Sequence, residues 1–195
     1  VITGMPNYPS GVVLDEYRGK LWMQETIDGA EVLRTWIYAA SYHSRRHRLA
    51  NYLSYVPSAV VRGLAAGRRF DVIIAGSPPP FVGLVAWTLG RFWRIPWILD
   101  IGDLWPEVAV EAGQLAPNAT ITRLGRRMAQ FLYRHATHVT PVTELKRKRL
   151  LEVGLSPEKI TIVENGVDIS LSSGSTDADW RRRLNLDDDR FVVAY

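Results

Sequence analysis

Residues 70–107 read FDVIIAGSPPPFVGLVAWTLGRFWRIPWILDIGDLWPE, and this stretch decides the fold. Phe70 to Ala75 carries the apolar run of a buried strand. Phe81 to Trp93 has the length and composition of a helix, with one proline of Pro78-Pro79-Pro80 at its first position. Pro96 to Asp100 is then a second apolar strand. Strand, helix and strand within so short a span predict a parallel pair joined by a right-handed crossover.

The alternation continues outward. Thr120 to His135 is an amphipathic helix with Leu124, Met128, Phe131 and Leu132 on one stripe. Thr137 to Val142 reads as a strand, Glu144 to Val153 as a helix capped by Gly154, and Ile160 to Val163 as a last strand. Upstream, Leu21–Ile27 and Ala30–Tyr38 flank Asp28-Gly29, a two-residue hairpin signal. Arg46 to Ala66 is helical, with Pro57 expected to kink or split it. The expected class is α/β: a Rossmann-like parallel sheet with helices on both faces and an inserted β-hairpin. Val1-Ile2-Thr3-Gly4 and Phe191 to Tyr195 read as interrupted strands, so the sequence is expected to be truncated at both ends. Ser170 to Thr176 has linker composition, and Asp179 can cap a short helix over Trp180–Leu184.

Composition narrows the function. The 195 residues amount to about 1.3 typical domains, and 47% are hydrophobic, enough for a well-buried core. No cysteine is present, which excludes disulfides and thiolate metal sites. The apolar stretch from Pro78 to Gly90 is too short for a membrane span. Net charge is +4, yet Arg34, Arg45, Arg46, Arg48, Arg62, Arg68 and Arg69 fall between Val32 and Phe70 with no acid among them. Such a segment suits an anionic partner, a phosphate or a headgroup surface, or else forms a solvated helix face.

In an open parallel sheet, ligands bind beyond the carboxyl ends of the strands. Five segments are expected there: Pro6 to Gly11, Gly76 to Pro80, Asp100 to Glu107, Thr143-Glu144 and Glu164 to Asp168. Together they supply hydroxyls, amides, carboxylates and the rings of Tyr8 and Trp105, the mixture that carbohydrate binding needs. The acids Asp100, Asp103 and Glu107 form the sharpest cluster, although Asp103 also suits an N-cap. Neither G-x-G-x-x-G, nor a P-loop, nor G-x-S-x-G occurs, and His43, His47, His135 and His138 form no H-E-x-x-H. No nucleic-acid module is present, and Lys146 to Arg149 reads as a solvated helix face.

Four motifs carry a resemblance. V-I-T-G-M-P-N-Y-P-S-G at 1–11, S-P-P-P-F-V-G at 77–83, D-L-W-P-E at 103–107 and E-K-I-T-I-V-E-N-G-V-D at 158–168 occur in order over nearly the whole chain. The sequence thereby resembles the N-terminal half of GT-B glycosyltransferases of glycosyltransferase family 4, in particular the bacterial colanic-acid and N-acetylfucosamine transferases. Members usually carry arginine where Gly102 stands, serine where Val108 stands and proline where Glu164 stands.

The resemblance implies a division of the chain. Residues 1–168 would be an acceptor-binding Rossmann-like domain lacking its first strand, 169–176 a linker and 177–195 the start of the donor-binding domain. It implies a retaining transferase that moves sugar from a nucleotide-sugar to a glycan on polyprenyl diphosphate, in bacterial surface polysaccharide synthesis. No cofactor or metal is implied, and the fragment alone would be inactive. Asp103 would act on the acceptor hydroxyl, with Asp100 and Glu107 as alternatives. Asn7, Tyr8, Ser77, Trp105, Thr143, Glu144 and Asn165 would bind substrate. Arg45, Arg46 and Arg48 would dock phosphate or an anionic membrane, placing the enzyme in the cytoplasm on the inner face of the plasma membrane. A nucleotide-sugar 2-epimerase of the same fold and a non-catalytic membrane-docking module are the competing readings.

Overall fold

The structure, a computed structural model, describes residues 1–39, 45–167, 181–186 and 191–192, with Arg45 described by its backbone alone. Two compact units divide the chain, Val1–Glu164 and Asn165–Tyr195. The linker at 170–176 and the cap at Asp179 lie outside the described residues, as do Tyr42, His43 and Asp168.

The first unit is built in the expected order: β1 (Ile2–Gly4), β2 (Trp22–Ile27), β3 (Ala30–Thr35), α1 (Arg45–Ala66), β4 (Ile73–Ser77), α2 (Phe81–Trp93) and β5 (Trp97–Ile101). After these come α3 (Glu107–Glu111), α4 (Thr120–His135), β6 (His138–Pro141) and α5 (Glu144–Glu152). β4, β5 and β6 form a parallel sheet in that order, with Ala75 opposite Leu99 and Leu99 opposite Val139. The α/β class with a parallel sheet therefore stands.

The strands do not form a single sheet, however. β1 pairs in parallel with β3, which pairs antiparallel with β2, in a second three-stranded sheet. The hairpin supplies β1 with a partner, so its position beside the chain start is occupied by β3. Asp28 and Gly29, at φ 49° and 79°, make the left-handed turn that the dipeptide predicts. Ile160 to Val163 is not a full strand: Ile160 bridges Val139, and Thr161 and Val163 donate to the carbonyls of Val139 and Pro141.

α1 is one continuous helix through Pro57, so the proline does not split it. Pro57 removes a single helical donor, and both it and Leu53, the residue one turn earlier, are exposed. On the opposite side Ala59, Val56 and Val60 pack with Val85 and Leu89 of α2, and that contact holds the helix together across the proline. Ile2 of β1 and Ile73 of β4 join the same cluster, which ties the two sheets beneath the helix pair.

The main core lies on the sheet face that carries Ala75, Leu99, Ile101 and Val139, under Leu132 of α4 and Leu150 of α5. Gly83 permits the close approach of α2 and α4, since a Cβ there would stand 2.9 Å from Leu132 Cδ1. At the alternate positions of the sheet, Ile98, Asp100, His138 and Thr140 are half-buried and Ile74 is 69% exposed.

Truncating Leu132 to Ala should cost about 3 kcal/mol through lost burial and a residual cavity, read as a lower urea midpoint at unchanged slope. A second expectation concerns alkali. Burial pushes the Tyr55 hydroxyl, which donates to the Ile2 carbonyl at 3.1 Å, up to about 12. The folded state holds it neutral while the unfolded chain ionises near pH 10. The stability it contributes is complete below pH 10 and lost as pH rises to 12, about 2–3 kcal/mol in all. Tyr55→Phe should remove that part of the alkaline decline in pH-resolved urea titrations.

Candidate functional site

The parallel register brings the carboxyl ends of β4, β5 and β6 to one edge. There the Gly102 amide donates to the Ser77 carbonyl at 2.8 Å, so the β4–β5 pairing runs one residue beyond β5. Gly102 suits this crossing, because a Cβ would stand 3.1 Å from that same carbonyl oxygen. Ser77 itself is buried beneath the turn.

Two carboxylates follow on β5 and its turn. Asp100 accepts a hydrogen bond from Thr140 Oγ1 at 2.8 Å, within the sheet. Asp103 lies on the turn, with its side chain 47% exposed and Lys146 Nζ 3.4 Å away. Lys146 also donates to the Gly102 carbonyl. The Thr143 side chain caps α5 by accepting from the Lys146 amide at 3.3 Å, which sets the helix so that Lys146 in its first turn reaches the β5 loop. Glu144 is exposed and paired with Arg147 at 2.9 Å.

Lys146 escapes a sequence reading that treats 146–149 as one solvated face. Lys148 is exposed, but Arg147 pairs with Glu144 and Arg149 with Glu111 at 2.8 Å. The signal was present in the spacing, since a cation three residues after a capping threonine lies on the first turn, at the strand-end edge.

Glu107 takes a different direction. It holds Arg126 at 2.9 Å, and Arg126 also donates to the Pro117 carbonyl at 3.0 Å, so this pair staples α3 to α4. Its charge and the burial around Tyr133 both raise that hydroxyl, burial being the larger cause. Asp103 is not an N-cap: Pro106 precedes α3, and no side chain caps that helix.

Trp105 borders a cavity of about 400 Å³ between α1, the proline turn and α3. Its ring lies over Gly125, where a Cβ would come within 2.5 Å, and its centroid is 6.2 Å from that of Phe81. Tyr52 stacks on Phe81 at 5.8 Å. Asn7 and Tyr8 follow β1, in the other sheet; the Asn7 carbonyl accepts from Gly11 at 2.6 Å and Tyr8 is 87% exposed. Asn165 begins the second unit and is exposed.

The arginines separate into two groups. Arg34 pairs with Glu25 inside the hairpin sheet, and the Arg62 guanidinium lies 5.3 Å from the Trp22 ring. Arg46 and Arg48 are exposed in the first turn of α1, the turn that Arg45 begins, and Arg68 and Arg69 are exposed beyond its last turn. Among the described residues no group of three or more histidines and carboxylates is close enough to hold a metal, and no helix is long and apolar enough to cross a membrane.

Known proteins are similar to this chain in sequence and in fold. Residues 8–166 match the family described as glycosyl transferase 4-like domain. The probable glycosyltransferase WbjE of Pseudomonas aeruginosa is 27% identical over 106 residues, 54% of this chain and 26% of its own length. The chain thus spans about a quarter of that relative. Among solved structures, sucrose-phosphate synthase from Thermosynechococcus elongatus superposes with a TM-score of 0.62 at 19% identity, over 96% of this chain and 42% of that one. Anabaena HepE in complex with UDP and glucose gives a TM-score of 0.55 at 20% identity, over 80% and 37%. At these identities the two structures establish the fold.

Replacing Lys146 with Ala should free the β5 loop. Loss of a charged hydrogen bond of about 1.5–3 kcal/mol predicts amide exchange at Gly102 and Asp103 faster by about 10- to 100-fold, with β5 itself unchanged by mass-spectrometric exchange.

Proposed function

The chain belongs to the glycosyl transferase 4-like domain family, and from that premise we propose that it forms the acceptor side of a retaining glycosyltransferase acting on lipid-linked glycans. The observation that carries the reading is the Asp103 carboxylate, half-exposed at the strand-end edge and steadied by Lys146. A glycosyl acceptor needs such a group: its hydroxyl must be aimed at the anomeric carbon and lose a proton as it attacks.

In the proposed reaction the acceptor oxygen bonds to C1 of the donor sugar on the face from which the nucleoside diphosphate departs, as the C1–oxygen bond to that diphosphate breaks, so the anomeric configuration is retained. The bonding pair leaves with the diphosphate. Asp103 accepts the hydrogen bond of the attacking hydroxyl and takes up its proton. Lys146 holds the carboxylate and the Gly102 carbonyl together, so the turn does not rearrange as charge develops. Asp100, tied to Thr140, fixes the strand beneath. Glu107 serves packing through Arg126, which leaves Asp103 as the acid of the cluster free to meet substrate.

The donor is proposed to be a nucleotide-sugar, in keeping with the UDP and glucose of the HepE complex. It would be held by a domain beyond this one, so the isolated chain is expected to lack transferase activity. No cofactor or metal is assigned to the transfer. The exposed Arg46 and Arg48, with Arg45, are proposed to face anionic headgroups or the acceptor's diphosphate, which puts the enzyme at the inner surface of the plasma membrane in polysaccharide assembly.

Asp103→Ala in the intact transferase should lower kcat by about 10²- to 10⁴-fold with an unchanged circular dichroism spectrum and melting curve. Turnover within threefold of the parent would remove Asp103 from this role.

A further inference from the structure

The cavity beside Trp105 has walls that a glycan does not suit. Leu49, Phe81, Val108, Leu115 and Ile121 line it together with the proline turn, and Arg48, Tyr52 and Gln114 are its principal polar side chains. A sugar ring carries a hydroxyl on nearly every carbon, and each one buried against such walls loses its hydrogen bond to water without replacement. An apolar chain has no such loss and gains with every carbon removed from water. At about 400 Å³ the space lies within the size range of small-ligand pockets, about 300–1,000 Å³.

The lining also has a polarity along it. Arg48 is exposed, belongs to the first turn of α1 and makes no ion pair among the described residues. It therefore places a positive charge against an otherwise apolar wall. The ligand complementary to both is an amphiphile with an apolar chain joined to a phosphate. Trp105, which lines the same cavity, is two residues from Asp103 on the same turn, so the cavity adjoins the loop that carries the reactive carboxylate.

Resting on the transferase reading above, we propose that this cavity seats the first apolar units of the acceptor's carrier chain, with Arg48 on the adjoining phosphate. The cavity then makes the carrier, and not the glycan alone, a determinant of specificity. Aromatic rings keep it open: Tyr52 stacked on Phe81, and Phe81 beside a Trp105 fixed over Gly125.

The test compares two acceptors with the same glycan, one on farnesyl diphosphate and one on propyl diphosphate, in the intact transferase. The farnesyl acceptor should show a KM at least 10-fold lower. Ala109→Trp, which fills the cavity from α3, should erase that advantage and leave kcat and KM for the propyl acceptor within twofold. Equal KM values for the two acceptors in the parent enzyme, or an advantage that survives Ala109→Trp, would overturn the proposal and leave the transferase reading intact. If neither acceptor is glycosylated, the transferase reading fails, and binding decides the cavity by itself. Farnesyl diphosphate below its micelle threshold should then quench tryptophan fluorescence at least 10-fold more tightly than inorganic pyrophosphate, with the difference lost in Ala109→Trp and in the milder Leu115→Asn. Equal affinity for the two probes, or a difference that persists in both variants, would refute it.

Discussion

The backbone of a single residue, Gly102, is held from two sides. Its amide donates to the Ser77 carbonyl, extending the β4–β5 ladder, and its carbonyl accepts from Lys146 of α5. Three segments are thereby locked to one another, because the last residue of β4, the turn after β5 and the first turn of α5 all meet at Gly102. Asp103 is the next residue, and its placement at the edge follows from this grip more than from any contact of its own side chain. The buried layer of Ala75, Leu99 and Val139 sets the register that makes the meeting possible.

Much of this was legible in the sequence. Apolar runs of strand length separated by helix-length segments identify α2, β5, α4, β6 and α5 within a residue at their ends and β4 within three, and Asp28-Gly29 fixes the hairpin. The rule that ligands gather beyond strand carboxyl ends points to the end of β5, where the fold has Asp100 and Asp103. What local pattern could not supply was pairing. β1 joins β3 and not β4 because a hydrogen-bond partner is chosen in three dimensions. Pro57 is tolerated because α2 packs on the far side of α1. Glu107 and Asp103, four residues apart, look equivalent in the sequence until Arg126 claims one and Lys146 steadies the other.

The basic segment illustrates the same limit in electrostatic terms. Read as composition, residues 34–69 are one block of positive charge. In the fold, Arg34 is spent on Glu25 within the sheet and Arg62 lies against Trp22, while Arg46 and Arg48 remain exposed at the start of α1. Exposed charge is thus divided between the first turn of α1, beside the apolar wall formed by Leu49 and Tyr52, and Arg68 and Arg69 beyond the far end of that helix.

β4 has one ladder neighbour, β5, among the described strands, and its outer positions include the exposed Ile74. Its free backbone donors and acceptors, set beside an exposed β-branched side chain, form a template on which another extended chain can align. No proline or lysine lies within Ile73–Ser77 to blunt it. The margin of the parallel sheet along Ile73–Ser77 is therefore the place at which a further extended chain can add by backbone pairing.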